Sequence, residues 1–179
     1  MAKQEVERIV VPLRPLPEGN ESSLQIIDIV YDDGSVRRTW KQDDGVQVLG
    51  LTEDGQVIAV TERGYTHLVG GYVEPGEDPE IASGRELLEE TGYQAGNIWP
   101  LPKIDLEGRV IHLYLATDCR KIQNCESEIS VELMSPRQFW QHILQYMQDE
   151  PGTKRRGSNS LQAAVFAFSQ LEMIEFIGD

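Results

Sequence analysis

From Leu24 to Val69 the chain alternates short apolar runs with aspartate-glycine pairs. SLQIIDIVY, VRRTWK, VQVLGL and QVIAVTE are separated by Asp33-Gly34, Asp44-Gly45 and Asp54-Gly55. Asp-Gly between β-prone runs marks a hairpin turn, because both residues tolerate positive φ. The pattern therefore predicts four strands joined by three turns, and a fifth strand, YTHLV, leading into Gly70-Gly71. Residues 1–23 contain Pro12, Pro15 and Pro17, show no periodicity, and read as an arm lying on the surface.

Further along, RVIHLYLAT places Ile111, Leu113 and Leu115 on one face of a strand, and ISVELM repeats the alternation at Ile129, Val131 and Leu133. Ser135-Pro136 has the form of an N-cap followed by proline in the first turn. Behind it Phe139, Trp140, Ile143, Leu144 and Met147 make an apolar helical stripe. After the loop DEPGTKRRGSNS a last helix shows Leu161, Ala164, Val165, Phe168 and Leu171. An earlier helix is bounded by Asp78-Pro79 and Gly92, with Ile81, Ala82 and Leu88 able to reach a core. The fold class is α/β with a mixed sheet and helices packed on it, without an internal repeat.

Composition narrows the function. The chain has 179 residues, enough for one substantial core, and a net charge of −14. Such acidity argues against a nucleic-acid polymer as partner, since no basic surface is available to release counterions. No apolar run approaches membrane-spanning length, and the start, MAKQEVERIVVPLRP, lacks the shape of a secretory signal. No membrane association is expected, and the cytoplasm is the expected location. Cys119 and Cys125 fall in no metal-ligand spacing and are expected to be reduced thiols.

The charge is concentrated. Gly71 to Gly92, GYVEPGEDPEIASGRELLEETG, holds seven carboxylates and one cation, Arg85. Glu86, Glu89 and Glu90 stand at i, i+3 and i+4 and so fall within an arc of roughly 100°. Like charges at that spacing repel, which makes a merely solvated face a poor explanation. Gathered carboxylates suit a hard divalent cation, which takes oxygen donors, and Gly70-Gly71 would let backbone approach the same ion. Arg85 can pair with Glu89 or reach back to Glu77.

The spacing Gly71, five residues, Glu77, seven residues, Arg85-Glu86-Leu87-x-Glu89-Glu90-x-Gly92-Tyr93 closely resembles the signature of the Nudix hydrolases. The resemblance implies an α/β/α sandwich, here with an N-terminal antiparallel strand extension, that splits a diphosphate linked to another moiety using Mg²⁺ or Mn²⁺ and water. It implies metal ligands at Glu89 and Glu90, Glu86 as a further ligand or the base, the Gly70 carbonyl completing the site, and Arg85–Glu77 as a supporting ion pair. Tyr93 stands where the family usually has an aliphatic residue. The run ESEISVELMS resembles the segment of ADP-ribose pyrophosphatases whose loop glutamates act at the metals, which points to Glu126 or Glu128; Glu132 is a weaker competitor within a strand.

In that subfamily the strands preceding the catalytic domain build a homodimer, which divides this chain into residues 1–40, arm and interface strands, and 41–179, the hydrolase domain. Pro100 and Pro102 lie closer to Gly92 than the proline those relatives carry, so an altered adenosine loop is expected. Arg63, His67, Trp99 and His112 are candidate substrate contacts; packing is the better account of Trp99, and exposure or edge packing explains His112, which shares the non-core face of its strand with Tyr114, equally well. The expected substrate is a nucleoside diphosphate joined to a sugar or similar group, ADP-ribose first. A nucleoside triphosphate or dinucleoside polyphosphate hydrolase, and a non-catalytic nucleotide sensor, are the competing readings.

Overall fold

The structure is a computed structural model that describes residues 3–11, 25–62, 65–106, 108–125, 129–149, 162–169 and 171. The chain divides into two units, one of residues 1–44 and 105–110, the other of residues 45–104 and 111–179.

The first unit contains a three-stranded antiparallel sheet, β1 (Glu5–Val11), β2 (Gln25–Tyr31) and β3 (Val36–Lys41), in that order. The β2–β3 hairpin turns at Asp33-Gly34 as expected, with Gly34 at φ +78° and its N–H donating to the Tyr31 carbonyl at 2.9 Å. Cross-strand neighbours Asp28 and Arg38 form a two-pronged pair at 2.7 and 2.8 Å. Among the described side chains of this sheet, Ile27 and Ile29 are buried.

Two expectations fail here. Residues 5–11 are a strand paired with β2, where the sequence suggested only an arm. Val6 and Ile9 are exposed, so β1 is held by backbone pairing and carries little of the apolar periodicity that marks a buried strand. Asp44-Gly45 is not a hairpin either, for β3 and β4 (Gly45–Thr52) belong to different sheets. The Asp44 carboxylate instead accepts the Val110 N–H at 2.9 Å.

The second unit is built on a larger mixed sheet. The sheet's strands are β4, β5 (Val57–Glu62), β6 (Tyr65–Tyr72), β7 (Tyr93–Gln94), β8 (Asn97–Pro100), β9 (Ile104–Leu106), β10 (Arg109–Lys121) and β11 (Ser130–Met134), of which residues 105–106 and 109–110 are counted with the first unit. The order is β11-β5-β6-β4-β10-β7, with β8 and β9 also paired to β10. Only β4 and β10 run parallel among the recorded registers. All eight residues of β4 are buried, as befits a central strand covered on both faces. The β4–β5 turn falls at Asp54-Gly55, with Gly55 at φ +78°.

Alternation along the strands produces two cores. Leu49, Leu68, Leu113 and Leu115 face one side, where they meet Phe139 and Ile143 of α2 (Pro136–Asp149) and Ala163, Ala164, Ala167 and Phe168 of α3 (162–169). Val48, Val60, Val69, Tyr114 and Ala116 face the other, against Ala82 and Leu87 of α1 (Pro79–Thr91). Helices on both faces of one sheet make this unit an α/β/α sandwich. Ser135 and Gln138 cap α2 reciprocally, the Ser135 N–H donating to Oε1 at 2.9 Å and the Gln138 N–H donating to Oγ at 3.2 Å.

Several side chains depart from the expected stripes. On α1, Ser83, Leu87 and Thr91 form one buried row at intervals of four, which leaves Leu88 at its flank and Ile81 66% exposed. Leu144, Val165 and Leu133 are also exposed, and Tyr114 is buried in the α1-side core where a non-core face was expected. Tyr93 packs into the same core, so an aromatic ring serves there. Leu161 and the Met147 side chain lie outside the described residues.

Both cysteines are free. Burial pushes the Cys119 thiol up to about 12, whereas Cys125 is half-buried. Native protein treated with a thiol reagent in mildly alkaline buffer is therefore expected to modify no more than Cys125, with Cys119 reacting only in denaturant. Equal labelling of both in the native state would contradict this placement.

Candidate metal and diphosphate site

Near its end β6 passes α1 at Gly70-Gly71, where a side chain at 70 would meet backbone and one at 71 would displace the Glu86 carboxylate. A Cβ at residue 70 would lie 2.6 Å from the Val46 carbonyl oxygen of β4. One at residue 71 would lie 2.1–2.4 Å from the Glu86 carboxylate. The glycines thus let the strand pass flush against an acidic side chain.

Local signals fix the helix that carries the acids. Asp78 is its N-cap, its side chain accepting the Glu80 N–H at 2.8 Å, and Pro79 follows where a missing N–H costs nothing. The phase set by the buried row Ser83–Leu87–Thr91 then leaves Glu89 exposed and brings Glu86 and Glu90 to the flank that borders the Gly70-Gly71 backbone.

Arg85 sits among these acids. Its Nε and Nη2 grip both oxygens of Glu77 at 2.9 and 3.0 Å. Nη1 donates to Glu86 at 2.9 Å and to Glu89 at 3.1 Å, and Nη2 also donates to the Tyr72 carbonyl at 3.0 Å. Both sequence alternatives for Arg85 are therefore realised together. Glu77 also accepts the Glu74 N–H at 2.9 Å, which ties the loop before the helix to the same cation. The Gly70 N–H donates to Glu90 at 3.3 Å.

The electrostatics follow from one guanidinium among several carboxylates. Hydrogen bonding to Glu77 is the largest cause raising the Arg85 pKa, and the same bond holds Glu77 below the usual carboxylate range. Burial pushes Glu86 upward, and Arg85 offsets this only in part. Glu86 is thus a desolvated carboxylate short of positive charge.

Among the described residues no three His, Cys, Asp or Glu side chains are gathered closely enough to form a finished metal cage. Glu86 and Glu89 meet at Arg85, while Glu90 turns to the Gly70 N–H. The donor chemistry nonetheless fits a hard divalent cation. The side chains offered are carboxylates alone, Gly71 keeps clear the space a Cβ would take from Glu86, and a cation already bridges Glu86 and Glu89 in the form of Arg85.

The remaining candidates are placed as follows. His67 and His112 share the α1-facing side of the sheet with Gly71: His67 by alternation along β6, His112 by the cross-strand row Gly71–Val46–His112. The His67 ring donates from Nδ1 to the Leu68 carbonyl at 2.8 Å, and its Nε2 is buried without a partner among the described residues. Trp99 pairs with Leu115, which belongs to the opposite core, so the ring lies on the other face and is half-exposed. Glu132 accepts a 2.7 Å hydrogen bond from Thr61 on β5. Arg63, Glu126 and Glu128 lie outside the described residues. Sequence reasoning missed the Tyr72 carbonyl as an anchor for Arg85; a main-chain acceptor leaves no mark on residue type.

A NUDIX domain model matches residues 41–156, well over half of the sequence. The chain belongs to the Nudix family. Among curated relatives it is 30% identical over 118 residues to the methanol dehydrogenase activator of Bacillus methanolicus, matching 59% of this chain and 64% of that one. It is 30% identical over 112 residues to the ADP-ribose pyrophosphatase of Bacillus subtilis, matching 56% and 60%. The chain thus spans less than two thirds of the length of these relatives. A solved ADP compounds hydrolase superposes with a TM-score of 0.63 at 16% identity, covering 96% of this chain and 100% of that one, and shares the fold.

Arg85 makes a test of the network. Arg85→Ala leaves Glu77, Glu86 and Glu89 facing one another and is expected to cost about 1–3 kcal/mol, read from the urea midpoint. Arg85→Lys keeps the charge but loses the fork, so it should recover only part of that loss. Full recovery by lysine would show that charge alone suffices.

Proposed function

We propose that this protein is a divalent-cation-dependent Nudix pyrophosphatase that hydrolyses the diphosphate of a nucleoside diphosphate joined to another moiety, with ADP-ribose the first compound to try. One observation carries the reading: Glu86 and Glu89 converge on a cation while Glu86 remains desolvated against Gly71. A carboxylate cluster cannot meet an anionic diphosphate unaided. The chemistry that Mg²⁺ or Mn²⁺ supplies when bound is neutralisation of the diphosphate and activation of water.

In this reading Glu89 and Glu90 hold the cation together with Glu86, and the Gly70 backbone borders the same space. Glu86, whose desolvation favours binding a proton, can serve instead as the proton acceptor. Arg85 and Glu77 keep the loop before α1 against the helix. Glu126 or Glu128 supplies the far side of the site, and His67 and His112, on the α1-facing side of the sheet, are the more favourably placed of the substrate candidates. The ADP-ribose pyrophosphatase among the relatives supports the substrate class.

The location proposed is the cytoplasm; no helix among the described residues is long and apolar enough to cross a membrane. A homodimer built on the N-terminal strands is part of the same proposal, and light scattering at working concentration is expected to give twice the chain mass. A monomer would remove the dimer and leave the chemistry standing.

The decisive experiment offers nucleoside diphosphate compounds with Mg²⁺ or Mn²⁺ and identifies products by mass. A nucleoside monophosphate and a phosphorylated partner are expected, whereas inorganic pyrophosphate would point to a triphosphatase. Glu89→Gln and Glu90→Gln are each expected to lower kcat by about a hundredfold or more. Wild-type protein that binds nucleotides yet turns over none would sink the enzyme reading in favour of a sensor.

A further inference from the structure

The last turn of α1 is a poor place for Glu89 and Glu90. Helix carbonyls converge there with a partial negative charge, and the turn contains no basic residue to offset two adjacent carboxylates. Its final carbonyls also lack intrahelical partners, so such a turn opens easily.

The structure braces this turn from outside. Gly92 adopts φ +75° and returns its N–H to the Leu88 carbonyl at 2.8 Å. The Gly92 carbonyl then accepts two donors from the segment after β10, the Ile122 N–H at 2.9 Å and the Gln123 N–H at 3.3 Å. The Gln123 side-chain amide reaches the Leu88 carbonyl at 3.4 Å. Just before this point Lys121 and Arg120 pair with Tyr93 and Gln94 of β7. The approach is close, for a Cβ at residue 92 would stand 2.1 Å from the Gln123 carbonyl oxygen and 2.9 Å from its carbonyl carbon. A left-handed φ alone would admit asparagine; this contact admits no side chain.

We propose that residues 122–123 form a clasp on the end of α1, and that the main chain of this clasp holds Glu89 and Glu90 where they can bind a cation. The effect on cation binding rests on the metal reading above, but the bracing of the turn does not.

Two variants break the clasp from opposite sides. Gly92→Asn keeps a residue that tolerates the cap conformation but drives a Cβ into Gln123. Gln123→Pro removes the backbone donor and the amide together at an exposed position. The full-length proteins, checked for fold by circular dichroism, would be compared by amide hydrogen exchange over residues 88–92 and by titration with Mn²⁺ alone. Each variant is expected to exchange at least about tenfold faster in that turn and to bind Mn²⁺ about tenfold more weakly. Gln123→Ala, which keeps the backbone donor, should stay within about threefold of wild type. Folded variants with unchanged exchange would overturn the clasp, and faster exchange with unchanged Mn²⁺ affinity would overturn its positioning role. If one variant fails to fold, the other decides. If wild type binds no Mn²⁺, the metal reading falls and exchange alone judges the clasp.

Discussion

The acidic end of this molecule depends on the planar fork of Arg85. A guanidinium presents five N–H donors in fixed directions, and here they reach Glu77, Glu86, Glu89 and the Tyr72 carbonyl. One side chain therefore joins the end of β6, the loop after it and the helix. A lysine could neutralise one acid but could not fix three segments in one plane. The network is also under-compensated, since a single positive charge faces several negative ones, and that deficit is what makes a divalent cation a natural completion.

The sandwich gives this network its bed. Val69 and Gly71 alternate with Leu68 along β6, so one strand supplies an apolar contact for α1, a gap for Glu86, and a core residue for the opposite layer. Because β4 is buried along its whole length, the surface under α1 is made of strands held from both sides.

Much of this could be read from residue types, wherever the information is local. Asp78-Pro79 and Gly92 mark the helix ends because caps and left-handed φ are properties of single residues. Asp33-Gly34 and Asp54-Gly55 are hairpins for the same reason. Asp44-Gly45 has the same letters and a different fate, decided by a partner at Val110, far along the chain. The β1 strand escaped because exposed edge pairing needs no apolar pattern. Ile81 and Leu88 were misplaced because four-residue spacing from Leu87, with small buried partners Ser83 and Thr91, sets the helix phase more firmly than hydrophobicity does. In the site, residue identity and spacing revealed the acids, whereas the Tyr72 carbonyl and the Gly92–Gln123 contact are main-chain features that no letter records.

Parallel neighbours impose a path on the chain. Strand β4 finishes at Thr52, and to enter β10 alongside it in the same direction the polypeptide must travel back to the end from which β4 began. Gly70-Gly71, Glu77 and the whole of α1 lie on that return journey. The acidic network around Arg85 therefore belongs to the detour, and the central pair is the fixed frame around which it is hung.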